Sequence, residues 1–307
     1  MKLITGISPH IKAAESTRRI MFDVIVALAP ATLFGISVFG MRALLVVAVC
    51  IASAVACEAL SCYIMKKPLS TGDLSAAVTG LILALNLPSR IPLYMAAIGS
   101  TFAIVVVKML FGGIGKNLLN PAIAARVFLL LAFGTAMTKF YEPFSDLVAS
   151  ATPLAGGDYA FKEVFFGVCS GTIGETSAAM LLFGGVYLVL RRVITPHIPL
   201  AFIITAGLIA LIAGQNPFTA VCSGGILLGA IFMATDYVTS PMSPIGKIIF
   251  GVGCGVITMV IRLFLTTMPE GVSFSILIMN FLVPIIDRFV ITSPLGAVKT
   301  RREKQNA

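Results

Sequence analysis

The chain has no tryptophan, only two histidines and few charged residues: 11% of its 307 residues are Asp, Glu, Lys or Arg. Soluble domains carry about a quarter charged residues, so this composition excludes an ordinary soluble protein. Hydrophobic residues make up 58% of the chain, and the mean hydropathy is +1.02. The sequence therefore predicts an integral membrane protein.

Motifs for several kinds of chemistry are also missing. The six cysteines contain no CxxC pair, which argues against an iron–sulfur cluster or a zinc site in this chain. His10 and His197 each follow a proline in a polar connection, which does not suggest haem ligation within the bilayer. No P-loop, Rossmann glycine motif or nucleophile elbow occurs. The net charge of +9 lies in short connections beside apolar runs, so we do not expect nucleic-acid binding.

Long apolar runs, punctuated by Gly and Pro, occupy most of the sequence. A helix needs about 20 such residues to cross a bilayer, whereas barrel strands show shorter, alternating segments. We therefore expect an all-α polytopic membrane protein in which residues 1–307 form a single membrane domain. The first 19 residues are polar and basic, with no cleavable signal peptide expected. The ten predicted segments are 20–40, 43–65, 74–88, 91–111, 121–137, 177–194, 198–214, 219–234, 246–264 and 272–290.

The basic residues predict how the segments are oriented. With the N-terminus in the cytoplasm, 16 Lys and Arg residues fall in inner connections or tails, Lys108 among them, and 5 in outer ones. This bias follows the positive-inside rule. We expect the segments 1–19 and 291–307 to be cytoplasmic and the loop 138–176 to face the outside of the cytoplasmic membrane.

Ten segments divide into five plus five, and an odd number in each half predicts two inverted repeats. The third and eighth segments are then equivalent, and both are short and either rich in glycine or flanked by proline. Paired interrupted segments of this kind indicate a site or an ion path near the membrane midplane. The alternative is two ordinary glycine-rich helices that pack closely.

Thr152 offers a hydroxyl in the outer loop, in the stretch Ser150-Ala151-Thr152-Pro153-Leu154. Pro153 favours an extended backbone at Thr152, and the glycines that follow allow close approach to a ligand. Such a hydroxyl could carry a phosphoester. A plain extracellular turn explains the same residues.

Asn120 and Arg126, at the start of the fifth segment, are also candidate site residues. Asn120 and Pro121 suit an N-cap and a first helical turn, which explains both structurally. Arg126 is not explained in this way, because it lies about one and a half turns inside the segment. An intramembrane arginine is costly and normally faces a partner or a cavity.

The remaining candidates are acidic residues and a threonine. Asp73 precedes the third segment, and Thr235 and Asp236 follow the eighth. Each aspartate could cap a helix, but their matching positions favour a shared site. Glu58 lies deeper, with no evident partner, and is a candidate for handling ions or protons together with Asp73.

Taken together, these clusters resemble the family that contains the D subunit of the Rnf electron-transport complexes and the B subunit of sodium-translocating NADH:quinone reductase. The resemblance covers nearly the whole chain. The motifs that carry it are residues 8–10, 70–75, 116–126, 150–154 and 233–241.

The resemblance implies a redox function. In this family a threonine in the equivalent motif carries covalent FMN through a phosphoester, so Thr152 is the expected attachment residue, beside Ser150. Arg126, Asn120, Thr235 and Asp236 are further candidates for holding the cofactor, and a non-covalent riboflavin is also associated with the family. The complex would pass electrons between ferredoxin and NAD⁺ and couple them to Na⁺ or H⁺ translocation. The implied partners are the A, B, C, E and G subunits, a flavin-attaching enzyme and membrane lipid.

The residues alone leave two other functions open. A transporter or channel without a cofactor has equal use for inverted repeats, and it has no need of Thr152. A structural scaffold for redox partners would be colourless when purified. We expect no metal site and no stand-alone catalytic residues in this chain.

Overall fold

The computed structural model describes residues 16–144, 161–167, 169–265 and 271–290. An isolated antiparallel bridge pairs Pro88 with Thr172. The first half contains α1 (Thr17–Phe39), α2 (Met41–Ile64), a 3₁₀ turn (Thr71–Asp73), α3 (Ser75–Leu85), α4 (Leu93–Thr101), a π-helical continuation of α4 (Phe102–Met109), α5 (Pro121–Ala132) and α6 (Gly134–Met137). The second half contains α7 (Phe161–Phe166), α8 (Ala178–Leu190), α9 (His197–Ile212), α10 (Pro217–Cys222), α11 (Ile226–Leu228), a π-helical turn (Gly229–Met233), α12 (Pro244–Phe264) and α13 (Gly271–Phe289).

The helices confirm the prediction of an all-α polytopic membrane protein. Among the described residues, four helices are long and apolar enough to cross a membrane: α1, α2, α12 and α13. Shorter apolar helices account for five other predicted segments. The predicted fifth segment, 121–137, is not one helix, because the backbone leaves the helical region at Phe133 and α6 follows. Helix α7 lies inside the stretch predicted as the loop 138–176.

Several helices begin at a side-chain cap, which is why the polar interruptions of the sequence mark their starts. The capping oxygen accepts a hydrogen bond from a backbone N–H of the first turn, which has no partner within the helix. Proline then occupies the first helical position of α5, α10 and α12, where it has no N–H to leave unsatisfied. The caps are Ser16, Asn120, Ser177, Asn216 and Ser243.

In both halves a glycine lets another helix approach the second segment closely. A Cβ atom on Gly80 of α3 would lie 2.7 Å from the Cys50 carbonyl oxygen of α2. A Cβ atom on Gly251 of α12 would lie 2.8 Å from the Ile198 carbonyl oxygen of α9. Small residues permit such approaches between membrane helices. In each half the second segment, α2 or α9, packs against the third and fourth segments of that half, as a five-plus-five repeat predicts.

The third and eighth segments are interrupted, as the sequence predicts. Helix α3 ends at Leu85 in a turn, and the carbonyl groups there accept hydrogen bonds from the stretch that precedes α8: Ile173 N donates to Leu87 O (3.1 Å) and Gly174 N to Leu85 O (2.7 Å). The eighth segment breaks between α10 and α11. Arg262 donates to three carbonyl oxygens at that break, which otherwise would lack helical partners.

Candidate functional site

A cavity of about 360 Å³ lies beside the first turns of α1, α3 and α5 and the end of α8. Met21, Val24, Ile82 and Phe232 form part of its largely apolar wall. Ligand sites are typically pockets of this kind with a few convergent polar groups. The polar side chains that line the cavity belong to Thr17, Ser75, Thr79, Lys108, Asn117, Asn120, Thr235, Asp236 and Tyr237.

Asn120 is held in place from both ends of its amide. Its Oδ1 accepts hydrogen bonds from Ala122 N (3.1 Å) and Ile123 N (3.4 Å), which is the N-cap that the sequence predicts. Its Nδ2 donates to Met233 O (3.1 Å), in the π-helical turn of the second half. Asn120 therefore joins the two halves at the cavity wall as well as capping α5.

Thr235 and Asp236 follow that π-helical turn and reach the same cavity. Thr235 Oγ1 donates to Ile231 O (2.6 Å), and Asp236 accepts from Thr239 Oγ1 (3.2 Å) and Val238 N (3.5 Å). Burial raises the pKa of the Asp236 carboxyl, and these two hydrogen bonds lower it by a smaller amount. The cavity thus has a carboxyl group that is protonated more readily than an exposed aspartate.

Asn117, which lies in the motif 116–126 but was not among the predicted site residues, supplies a further polar group. Its Oδ1 is buried and has no hydrogen-bond partner among the described residues. A buried acceptor of this kind costs free energy unless something donates to it. This atom is therefore available to a ligand in the cavity.

Glu58 and Lys108 form a buried ion pair next to the cavity. Lys108 Nζ lies 2.6 Å from Glu58 Oε1 and donates to Ser75 Oγ, also at 2.6 Å. The side chains are 0% and 2% exposed for Glu58 and Lys108 respectively. Two expectations were wrong here. Glu58 has a partner, and Lys108 does not lie in a solvated connection, because the π-helical part of α4 turns it inward.

Asp73 reaches this ion pair through Ser75. Its Oδ1 accepts from Ser75 N (2.8 Å) and from Ser75 Oγ (2.6 Å). Ser70 Oγ donates to Glu58 Oε1 (2.9 Å), so the two predicted ion-handling acids belong to one hydrogen-bonded network. Asp73 caps α3 and does not itself line the cavity, which Asp236 does. The two aspartates therefore do not share a site symmetrically: Asp236 lines the cavity, and Asp73 is linked to it only through Ser75.

Arg126 is buried beside the end of the interrupted third segment and the stretch that precedes α8. Its Nη1 donates to Asn86 Oδ1 (2.5 Å), beyond the end of α3. Its Nη2 lies 3.8 Å from Glu175 Oε1, in the stretch before α8. Arg126 does not line the cavity, so its predicted role in holding a flavin stays a prediction. Thr152 and Ser150 fall in residues 145–160, outside the described residues.

Besides Asn117, sequence reasoning missed three residues of this arrangement: Lys108, Asn86 and Glu175. Each lies at or near the end of an apolar run, where a polar residue is usually solvated. For Asn86 the sequence did hold a signal, because this polar residue lies near the end of the interrupted third segment. For Lys108 and Glu175 the partners are 50 and 49 residues away along the chain, and pairing over that distance is set by the fold.

Comparisons with known proteins agree over almost the entire chain. A family model described as "NQR2, RnfD, RnfE family" matches residues 4–296. The chain is 45% identical to the D subunit of the Na⁺-translocating ferredoxin:NAD⁺ oxidoreductase complex of Acetobacterium woodii, over 99% of this chain and 98% of that protein. It is 41% identical to the proton-translocating counterpart of Clostridium ljungdahlii, over 96% of each. It is 33% identical to the D subunit of the ion-translocating oxidoreductase complex of Methanosarcina acetivorans, over 94% and 96%.

Proposed function

The chain belongs to the NQR2, RnfD, RnfE family, and on that premise we propose that it is the D subunit of an ion-translocating ferredoxin:NAD⁺ oxidoreductase complex. Near-full-length similarity to subunits of that name supports this. It would work as one part of a membrane translocase, beside the A, B, C, E and G subunits. The relatives named for Na⁺ and for protons are similarly close, so family membership does not choose the coupling ion.

We propose that the cavity holds a non-covalent flavin, with riboflavin as the expected form. The observation that carries this proposal is the cavity itself, which has a volume of about 360 Å³ and a largely apolar wall with a few polar groups. A flavin ring is flat and largely apolar, with hydrogen-bonding groups along its pyrimidine edge. Phe232 and Ile82 suit the ring faces, while Asn117, Asn120 and Asp236 offer hydrogen-bonding groups for that edge.

A flavin bound there would supply one- and two-electron transfer, and the protein supplies position and electrostatics. The Asn117 amide oxygen can accept from a ring N–H, since no described residue donates to it. Asn120 keeps its own amide fixed through the cap of α5. The apolar wall excludes water, which strengthens each of these hydrogen bonds.

The second flavin of the proposal is FMN attached covalently to Thr152 by a flavin-attaching enzyme. Its support is the stretch 150–154 and the family resemblance. Ser150 would lie beside the attachment residue. On the orientation expected from the basic residues, this loop is outside, so the two flavins would be near opposite faces of the membrane. This subunit would then relay electrons across the bilayer.

We further propose that Glu58 and Asp73 serve ion or proton handling. Their network runs from the partly exposed turn at Ser70 to Lys108 in the cavity wall. A change in the charge of a flavin in the cavity would act electrostatically on the Lys108 ammonium group in the cavity wall. Because Lys108 forms an ion pair with Glu58, a redox change would also affect the buried Glu58 carboxylate.

Filling the cavity is expected to remove the non-covalent flavin. Thr79 lines the cavity on α3 and donates to Ser75 O (3.0 Å), four residues back. Thr79→Phe should lower the flavin released by acid from the purified protein by about tenfold, because the ring would overlap the ligand. Thr101→Phe is the matched control. Thr101 makes the same hydrogen bond, to Ala97 O (2.8 Å), but is exposed on α4.

Equal flavin release from the two variants would contradict a flavin in this cavity. A transporter without a cofactor is the second candidate, and the interrupted third and eighth segments favour it. Colourless wild-type protein, made together with the flavin-attaching enzyme, would contradict the flavin and leave the transporter or the scaffold.

A further inference from the structure

A row of buried polar side chains continues from the cavity toward the other side of the molecule. We call it the central polar column: Asn86, Arg126, Glu175, Thr172 and Ser170. Four of the five residues are at most 3% exposed, and the Glu175 side chain is 9% exposed. Polar residues inside a membrane protein are costly and commonly mark ion or substrate paths.

The column begins where the cavity ends. Helix α3 lines the cavity as far as Ile82, and Asn86 is one turn further along it. Helix α5 lines the cavity at Ala122, and Arg126 is one turn further. Both helices therefore lead from the cavity into the column.

The other end of the column lies toward the opposite face. The Ile173 carbonyl oxygen, beside Thr172, packs against α1 at Gly35. Helix α1 lines the cavity only up to Val24. These two positions on α1 are separated by roughly 16 Å of helix axis, at about 1.5 Å per residue. The cavity and the column together extend across most of the length of α1.

Arg126 and Glu175 meet in the middle of this column and come from different halves of the protein. Arg126 belongs to α5, while Glu175 precedes α8. Carboxylate and amide oxygens are the groups that bind hard cations. The guanidinium group contacts one oxygen of each kind, on Glu175 and Asn86. It therefore occupies the position that a passing cation would take.

We propose that Arg126 is a tethered cation that closes a cation route through this subunit. While Arg126 holds Glu175 and Asn86, those two oxygens are not available to a free cation in the column. A translocating complex needs such a closure, because an open route would dissipate the ion gradient. The closure is a property of the chain in a membrane, so it does not depend on either flavin.

The test is passive ion leak in liposomes containing the purified full-length chain. A potassium gradient with valinomycin sets the membrane potential, and enclosed dyes report Na⁺ and H⁺ entry. Arg126→Gln should raise the entry of one of these cations by about tenfold or more, the effect expected for loss of one charge-assisted hydrogen bond. Arg126→Lys, which keeps a positive charge, should leak much less than Arg126→Gln.

The double variant Arg126→Gln/Glu175→Gln separates this mechanism from a simple packing hole. It lacks both the tethered cation and the carboxylate that would attract a free cation, so its leak should fall well below that of Arg126→Gln. Arg262→Gln is the control for loss of a partly buried arginine elsewhere, since Arg262 donates to backbone carbonyls at the break after α10. The proposal would be overturned if Arg126→Gln showed no increase in cation entry, or if the leak persisted in the double variant.

A second pair of variants decides the matter if Arg126→Gln does not fold. Ala122 lies one turn before Arg126 on α5, at the cavity wall. In Ala122→Asp, a carboxylate four residues away draws the guanidinium toward the cavity. Leak should then rise in Ala122→Asp and stay at the wild-type level in the neutral Ala122→Asn. Equal leak in these two variants contradicts the closure.

Discussion

Replacing Lys108 by methionine is expected to lower the free energy of unfolding by about 3–5 kcal/mol, the cost of leaving one member of a buried ion pair without its partner. Glu58 is fully buried, and Lys108 is the cation that contacts it. Without Lys108, the neutral Ser70 hydroxyl would still donate to Glu58 Oε1, while Oε2 has no hydrogen-bond partner among the described residues, so the charge would be compensated only in part. Ser75 would also lose the ammonium group that donates to it.

The measurement is unfolding of the purified protein in mixed micelles, with the fraction of a denaturing detergent increased stepwise. Lys116→Met is the matched control. Lys116 is exposed in the connection before α5, and surface substitutions of this kind change stability by about 0.5 kcal/mol or less. Equal stability of the two variants would show that the Glu58–Lys108 pair is not what holds α2 and α4 together.

A double replacement tests whether the loss comes from the unpaired carboxylate. Buried ion pairs replaced as a whole by apolar residues are often neutral or stabilising. We therefore expect Glu58→Leu/Lys108→Met to recover most of the stability that Lys108→Met loses. If the double variant folds but the complex that contains it does not translocate ions, the Glu58–Lys108 pair is needed for function more than for stability.

Replacing Thr152 by alanine is expected to abolish covalent flavin completely. A phosphoester needs the hydroxyl oxygen of the side chain, and alanine has none. After denaturing electrophoresis, the wild-type band should fluoresce under ultraviolet light and the Thr152→Ala band should not. Electron transfer through the complex should fall with it, because the relay loses the cofactor nearest the outer side.

Ser150→Ala is the matched control for this experiment, since it removes a hydroxyl two residues earlier in the same loop. We expect its band to remain fluorescent. Fluorescence in Thr152→Ala would keep the flavin but move its attachment to another residue. Loss of fluorescence in both variants would indicate that the whole loop is needed by the flavin-attaching enzyme.

The positions of most helices could be predicted from the sequence, because hydrophobicity and helix-starting residues are local properties of the chain. Apolar runs located the membrane segments, and Asn120 followed by Pro121 predicted the start of α5. The short third and eighth segments predicted interruptions, and both are present. Where a segment ended early, as α5 does at Ala132, the cause was a backbone change at Phe133 within an apolar run.

The pairing of buried charges could not be predicted in the same way. Lys108 counted as a connection residue because it stands at the end of an apolar run, and a π-helical turn changes the face on which it lies. Arg126 was recognisable as costly, but neither partner was, because Asn86 and Glu175 are distant in sequence. The cavity depends on several separate elements, so only the folded chain brings its polar groups together.

The most direct test of a flavin-carrying redox subunit is to precipitate the purified wild-type protein with acid and examine both fractions for flavin. The protein should be made in a host that supplies the flavin-attaching enzyme. We expect FMN to remain in the washed pellet, linked to the peptide that contains Thr152, and free riboflavin to appear in the supernatant. A pellet and a supernatant that both lack flavin would contradict the account and identify this subunit as a membrane protein without a redox cofactor.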